Sequence, residues 1–298
     1  MHRTLLVVAC IATLSACSKK PAEAVEEKAA EPTAVQAAPA AQGDSSKSDA
    51  ATAAFLHAIK VDFAAQFVAT ESEACGSVKG QEMPDLKSGS PMQYAASGVI
   101  SWGKGSFDYV KEPGAAVVLT NSRAEKTFSF GVDIYDIPKG GRRYVAGLGQ
   151  LKGASLSATV TDETKAVDGD AKLTTGNLCV GSAVPPLVTQ GAWPLAAKYL
   201  QVPSTSMSCT PIGKFESQAI AFAFDGSAIQ AGTNKFTQAD SASAETLTIV
   251  PNGNTPSVTY SVTRADGTAV ELGLSRPGAL FYASLALPGG EHLICALK

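Results

Sequence analysis

VTYSVTRADGTAVELGL, residues 258–274, sets the fold class. Val258, Tyr260 and Val262 alternate with Thr259, Ser261 and Thr263, and Val270, Leu272 and Leu274 repeat the alternation. Successive side chains on a strand point to opposite faces, so each run presents one apolar and one polar face. Ala265-Asp266-Gly267 between them is a turn signal, and strands joined so closely run antiparallel. Phe128, Phe130, Val132 and Ile134, alternating with Ser129, Gly131, Asp133 and Tyr135, form another half-buried strand. Further strands are expected near 97–102, 106–111, 115–120, 143–150, 154–161, 217–224, 245–250, 279–287 and 291–297. Pro138-Lys139-Gly140-Gly141 and Pro251-Asn252-Gly253-Asn254 mark turns between them.

Each of two stretches of strands opens with a helix. Phe55, Ile59, Phe63 and Phe67 recur every four residues with Leu56 on the same side, an apolar helical stripe. Pro194 fits a first helical turn, Leu195, Tyr199 and Val202 follow at helical spacing, and Pro203 ends the run. The chain also repeats. Phe63-Ala64-Ala65-Gln66-Phe67 precedes Cys75, and Leu195-Ala196-Ala197-Lys198-Tyr199 precedes Cys209. Gly176-Asn177-Leu178-Cys179 and Glu291-His292-Leu293-Ile294-Cys295 close the two stretches. A tandem duplication accounts for this, with chance similarity in an Ala-rich chain as the alternative. The expected fold is α+β: two tandem domains, 51–182 and 183–298, each an N-terminal helix packed on an antiparallel sheet. Two β-sandwich-like domains are the alternative.

The amino terminus gives an address. Leu5 to Ala16, LLVVACIATLSA, follows Arg3 and is too short to span a bilayer, which takes about 20 apolar residues. It reads as a signal peptide over 1–16. Leu14-Ser15-Ala16-Cys17 resembles the lipobox of bacterial lipoproteins. The resemblance implies that the Cys17 thiol carries diacylglycerol, that the chain is cut before it and that the new amino terminus is acylated. Anchoring to a membrane follows, since two or more acyl chains hold stably. Ser18, where an aspartate often marks inner-membrane retention in that family, implies the outer membrane, with the folded part in the periplasm or outside. Residues 17–50 then form a disordered tether. Beyond Cys17 they contain no Leu, Ile, Phe, Tyr or Trp, and Pro21, Pro32 and Pro39 interrupt helices. A flexible coil of this length spans about 30 Å.

Charge and cysteine usage fit export. Of 24 basic residues, loss of Arg3 leaves 23 against 27 acidic, with no basic stripe of the kind that binds nucleic acid. Cys10 leaves with the signal and Cys17 takes lipid, so Cys75, Cys179, Cys209 and Cys295 remain, an even number suited to disulfides. Of the three connectivities, the repeat selects Cys75–Cys179 and Cys209–Cys295.

Catalytic motifs are sparse, and no cofactor or metal is expected. His57 falls opposite the Phe stripe and His292 beside the last cysteine, with no spacing that joins them in a zinc site. Gly98 to Gly105, GVISWGKG, lacks the Ser or Thr of a phosphate loop and reads as a tight turn at Gly103-Lys104-Gly105. Ser101-Trp102-Gly103-Lys104 fits the Ser-x-x-Lys pattern of penicillin-recognising enzymes without its partner motifs. Asp162, Glu163, Asp168 and Asp170 do not follow a calcium-loop spacing and read as a solvated turn. Trp102, Tyr109, Trp193 and Tyr199 are core aromatics by default. The expected function is a non-enzymatic binding or interaction module, its partner a protein, an envelope polymer or a foreign enzyme. A carboxylate-dependent envelope glycan hydrolase and a carrier of an apolar ligand are the alternatives.

Overall fold

Strands dominate the computed structural model of the chain. The structure describes residues 45–71, 74–78, 85–87, 89–103, 105–134, 142–150, 156–165, 171–181, 184–251 and 256–297. Cys17, the signal stretch and most of the tether lie outside them, as do Asp168 and Asp170. Helix α1 (Ser45–Gln66) comes first, so the helix takes in the last six residues assigned to the tether. Ten strands follow: β1 (Ala69–Glu71), β2 (Ala74–Val78), β3 (Met92–Tyr94), β4 (Val99–Trp102), β5 (Gly105–Asp108), β6 (Ala115–Ser122), β7 (Thr127–Ile134), β8 (Arg142–Gln150), β9 (Leu156–Lys165) and β10 (Ala171–Gly181). Two short helices, α2 (Pro186–Gln190) and α3 (Trp193–Tyr199), lead into nine more strands. These are β11 (Val202–Pro211), β12 (Gln218–Phe224), β13 (Ala228–Ala231), β14 (Asn234–Thr237), β15 (Ala244–Val250), β16 (Ser257–Thr263), β17 (Ala269–Arg276), β18 (Ala279–Ala286) and β19 (His292–Ala296).

Fifteen of these strands form one antiparallel sheet, in the order β14-β13-β12-β11-β19-β18-β17-β16-β15-β6-β7-β8-β9-β10-β2. A four-stranded sheet, β1-β3-β4-β5, completes the first half. The expected pair of separate α+β domains is therefore overturned, and so is the pair of separate sandwiches. One ladder runs through both halves by way of β6 and β15, and residues Gly43–Lys298 make one unit. The helices do not each cover a sheet of their own: α2 has five residues, α3 has seven, and α1 contacts β15, β16 and β17 of the second half as well as α2 and α3. The physical reason is edge pairing. A strand left at an edge exposes unpaired backbone groups, and β6 and β15 satisfy each other.

The two halves repeat each other in register. Tyr94↔Ile100 and Met92↔Trp102 on β3–β4 match Phe224↔Ile229 and Phe222↔Ala231 on β12–β13. Val99↔Asp108 and Trp102↔Gly105 on β4–β5 match Ala228↔Thr237 and Ala231↔Asn234 on β13–β14, with the same sequence of buried and exposed positions. The connecting turns hold Gly103 at φ 53° and Gly232 at φ 58°, where a side chain is disfavoured. Ala69↔Tyr94 matches Val202↔Phe224, so β1 and β2 together correspond to β11. The central pair β6–β15 joins corresponding strands antiparallel, with Val117↔Ile249, Leu119↔Leu247 and Asn121↔Glu245, an approximate two-fold relation.

Each half closes on aromatic rings. Phe130 on β7 lies 4.2 Å from Phe67 and 5.7 Å from Phe63 of α1, and 6.0 Å from Tyr94 of β3, whose hydroxyl donates to the Gly147 carbonyl of β8. The small sheet is thereby pinned onto the large one. In the second half the Trp193 ring lies 5.3 Å from Phe224 of β12 and 6.2 Å from Tyr260 of β16. Five strand steps separate β12 from β16, roughly 24 Å in a flat sheet, so the sheet curls around Trp193 to meet itself. Arg264 fastens the curl. It stacks on Phe236 of β14 at 4.4 Å, pairs with Asp240 at 3.4 Å and donates to the Lys235 carbonyl. Each fully buried ring contributes about 1.5–3 kcal/mol through the area it removes from water.

Disulfides join Cys75 to Cys179 and Cys209 to Cys295. In both cases the cysteines face each other across adjacent strands, Cys179↔Cys75 on β10–β2 and Cys209↔Cys295 on β11–β19. Each bond ties a strand at the start of a half, β2 or β11, to its last strand, β10 or β19.

Lys60 of α1 is 3 % exposed, and its ammonium donates to the carbonyls of Tyr109, Glu112 and Ala115 at 2.9, 3.0 and 3.2 Å. It fixes the helix to the segment entering β6. Burial lowers its pKa to about 8, while Glu112 and Asp108 act in the opposite direction. Lys60→Met strands the buried carbonyls of Tyr109 and Ala115 and the part-buried one of Glu112, and should lower the free energy of unfolding by about 1–3 kcal/mol in denaturant titrations at neutral pH. The folded chain releases the Lys60 proton from about 8 and the unfolded chain from 10.5, so this residue adds stability as pH rises across that window. The advantage of wild type over Lys60→Met should widen between those two pH values.

Candidate functional site

Two open clefts lie among the described residues, one in the second half and one at the junction of the halves. The first has a volume of about 540 Å³ and lies along β11, β12, β13 and β14. A β-bulge builds it: Val202 pairs with Phe224 and Thr205 with Phe222, so Pro203 and Ser204 stand opposite the single residue Ala223. Pro203 and Ser204 line the cleft with Gln201, Asp225, Gln230 and Lys235. Asp225 is the lone carboxylate among the described lining residues. One of its oxygens accepts from the Ser227 amide and hydroxyl, each at 2.8 Å, and from the Ala228 amide at 2.9 Å. The Ala228 amide first, then Ser227, holds its carboxyl below the ordinary aspartate range. Trp193 donates to the Gly226 carbonyl at 3.1 Å and so ties the same turn to α3. Gln201 and Gln230 each donate one amide hydrogen to a nearby carbonyl, Ala197 at 3.0 Å and Gly232 at 2.7 Å, which orients their side chains.

The second cleft, about 330 Å³, lies at the junction between the β6–β7 turn and the segment carrying α2. Beneath it Glu245 of β15 is buried with no side-chain exposure. One carboxylate oxygen accepts from the Arg123 guanidinium, from Asn121 at 3.2 Å and from the Ala192 amide at 3.0 Å. The other accepts from the Tyr260 hydroxyl at 2.8 Å. Arg123 also donates to the Ser241 hydroxyl at 2.8 Å, and Asn121 to the Val188 carbonyl at 2.8 Å. Gly191, at φ 85°, is required here: a β-carbon would lie 1.8 Å from the Arg123 guanidinium. The cluster binds β6, β15, β16 and the α2–α3 linker through one carboxylate with four donors.

The residues singled out in the sequence fall elsewhere. His57 is exposed on α1, and His292 is exposed on β19. Gly103 forms the β4–β5 turn, and a strand follows it rather than a helix. Asp162 and Glu163 lie on β9. Trp102, Tyr109 and Trp193 are buried, and Tyr199 is partly buried, its hydroxyl donating to Asp62 at 2.8 Å across the α1–α3 contact. Among the described residues no three His, Cys, Asp or Glu side chains are grouped to hold a metal ion. Among the described residues neither cleft is lined by two carboxylates.

Sequence reading missed Glu245, Asn121 and Arg123. A signal for the first two exists: Glu245 shares a strand face with Leu247 and Ile249, and Asn121 with Leu119 and Val117, so each puts a polar group on an apolar face. Comparison with protein-family models, with curated proteins and with solved structures finds no match.

Removing the carboxylate takes one acceptor from the part-buried Arg123 guanidinium and from Asn121, and removes the acceptor of the Ala192 amide and the Tyr260 hydroxyl. Glu245→Ala should cost about 3–5 kcal/mol of stability, read from denaturant unfolding. Glu245→Gln, which keeps an acceptor oxygen, should recover part of it.

Proposed function

We propose that this protein is a lipid-anchored cell-envelope protein that acts by binding, and that the 540 Å³ cleft is where it takes hold of a hydroxyl-rich envelope polymer. The anchor rests on the lipobox-like Leu14-Ser15-Ala16-Cys17, with attachment at Cys17 and the outer membrane implied by Ser18. The two disulfides agree with an oxidising compartment.

The observation that carries the binding reading is the makeup of the cleft. Its volume is that of a small-molecule or oligomer site. Its rim offers amides, hydroxyls and one ammonium, groups that can both donate and accept hydrogen bonds, as saccharide hydroxyls require. A glycoside hydrolase of the usual kind needs two carboxyl groups about 5–10 Å apart across the bond to be cut. Here Asp225 stands alone among the described lining residues and is engaged in holding its own turn. That favours binding over carboxylate-pair hydrolysis, and the openness of both clefts to solvent favours it over the enclosed cavity of a carrier.

The full chain in detergent should co-sediment with cell-wall glycan purified from the same host. The double variant Gln230→Ala, Lys235→Ala should lose at least about tenfold in affinity with an unchanged unfolding midpoint, a loss equivalent to about 1.4 kcal/mol. Absence of retention, or release of soluble reducing sugar on prolonged incubation, would remove the reading. In the native host, Cys17→Ser should move the protein out of the membrane fraction, and continued membrane association would refute the anchor.

A further inference from the structure

The junction cleft has a different chemistry from the polymer cleft, and its assignment is independent of it. Its lining combines Phe128, Val184 and Val188 with two cations, Arg123 and Lys126, and contains no acidic residue among the described residues. Glu125 belongs to the same turn but is not among the lining residues. Phe128 and Val188 are buried and form the floor, whereas Val184 is a rim residue with 38 % of its surface exposed.

Arg123 is held in place from below. Glu245 and Ser241 fix its two terminal nitrogens, and the side chain keeps 18 % of its surface open while Glu245 keeps none. An approaching group therefore meets guanidinium and not carboxylate. Because the guanidinium is already ordered, little conformational entropy is lost when a ligand arrives. Lys126 stands exposed at the end of the same turn, at φ 56°, an unusual backbone state for a lysine. Asn121, Thr127 and Thr189 add polar groups around the apolar floor.

We infer that the junction cleft binds a small amphipathic anion: a carboxylate, sulfate or phosphate on a short apolar body. The apolar body lies on Phe128, Val184 and Val188, and the anionic group lies between Arg123 and Lys126. The volume of about 330 Å³ sits at the small end of ligand sites, which suits such a molecule better than a polymer segment.

The test uses octanoate as probe, titrated calorimetrically into the full chain in a detergent above its critical concentration, with amide chemical shifts of Thr189 and Gln150 as a local readout. Saturable octanoate binding is expected, with octanol, the same chain without the charge, at least tenfold weaker. Lys126→Gly removes the ammonium and suits the positive φ, so the turn should be retained, and octanoate affinity should drop at least fivefold. Val184→Glu places a carboxylate at an exposed rim position and should weaken octanoate at least tenfold. Octyl phosphate should bind in competition with octanoate. The inference is overturned if octanol binds as tightly as octanoate, or if both variants bind like wild type. Binding to phosphatidylglycerol vesicles without binding of dissolved octanoate would also overturn it, in favour of a membrane surface.

Discussion

The ladder between β6 and β15 is the constraint from which the rest of the structure follows. Each strand would otherwise be the outer edge of its own half, with a row of open amides and carbonyls. Their antiparallel pairing sets Leu119 against Leu247 and Val117 against Ile249, so apolar side chains of both halves share one face. At the end of that face Asn121 meets Glu245, and the burial of a carboxylate there is tolerated because four donors converge on it. Those donors come from β6, β16, the β6–β7 turn and the linker before α3. A single buried charge thus fixes the position of segments far apart in sequence.

Around that seam the halves reach the same geometry with different side chains. Phe63 and Phe67 fill the space over β7 in the first half, and Trp193 fills the space between β12 and β16 in the second. Cores tolerate such exchanges when total volume and patterning are kept. Hydrogen-bond registers are less forgiving, since a slip of one residue turns every side chain to the opposite face. That accounts for the conserved spacing of β3-β4-β5 against β12-β13-β14 while few residues are shared between them. Internal repetition of this kind, with corresponding strands paired about a two-fold relation, is the arrangement of a symmetric dimer joined into one chain.

Both clefts arise where this regularity is interrupted. The bulge at Pro203 and Ser204 opens the ladder beside β12 and re-aims side chains outward. The α2 segment crosses the end of the seam and encloses space beside the β6–β7 turn. The regular strands supply a rigid frame, and the irregular segments hold the groups able to contact a ligand.

The sequence alone determined the local periods. Alternation over 128–134 and 258–274 marked strands, the four-residue recurrence of Phe55, Ile59, Phe63 and Phe67 marked a helix, and the repeated pentapeptides paired the four cysteines in one of three ways. These are signals carried by neighbours in the chain, where period and turn chemistry act directly. Tertiary structure alone decided that β6 pairs with β15, that α1 serves both halves, and that the fold is a continuous sheet instead of two α+β domains. An edge strand reads the same in sequence whatever it pairs with, because backbone amides and carbonyls carry no residue identity. The sites follow the same division. Glu245 was legible only as a polar residue on an apolar face, a signal the sequence reading passed over, and its donors lie on other strands and in a linker. Only folding brings Arg123, Tyr260 and Ala192 to one carboxylate.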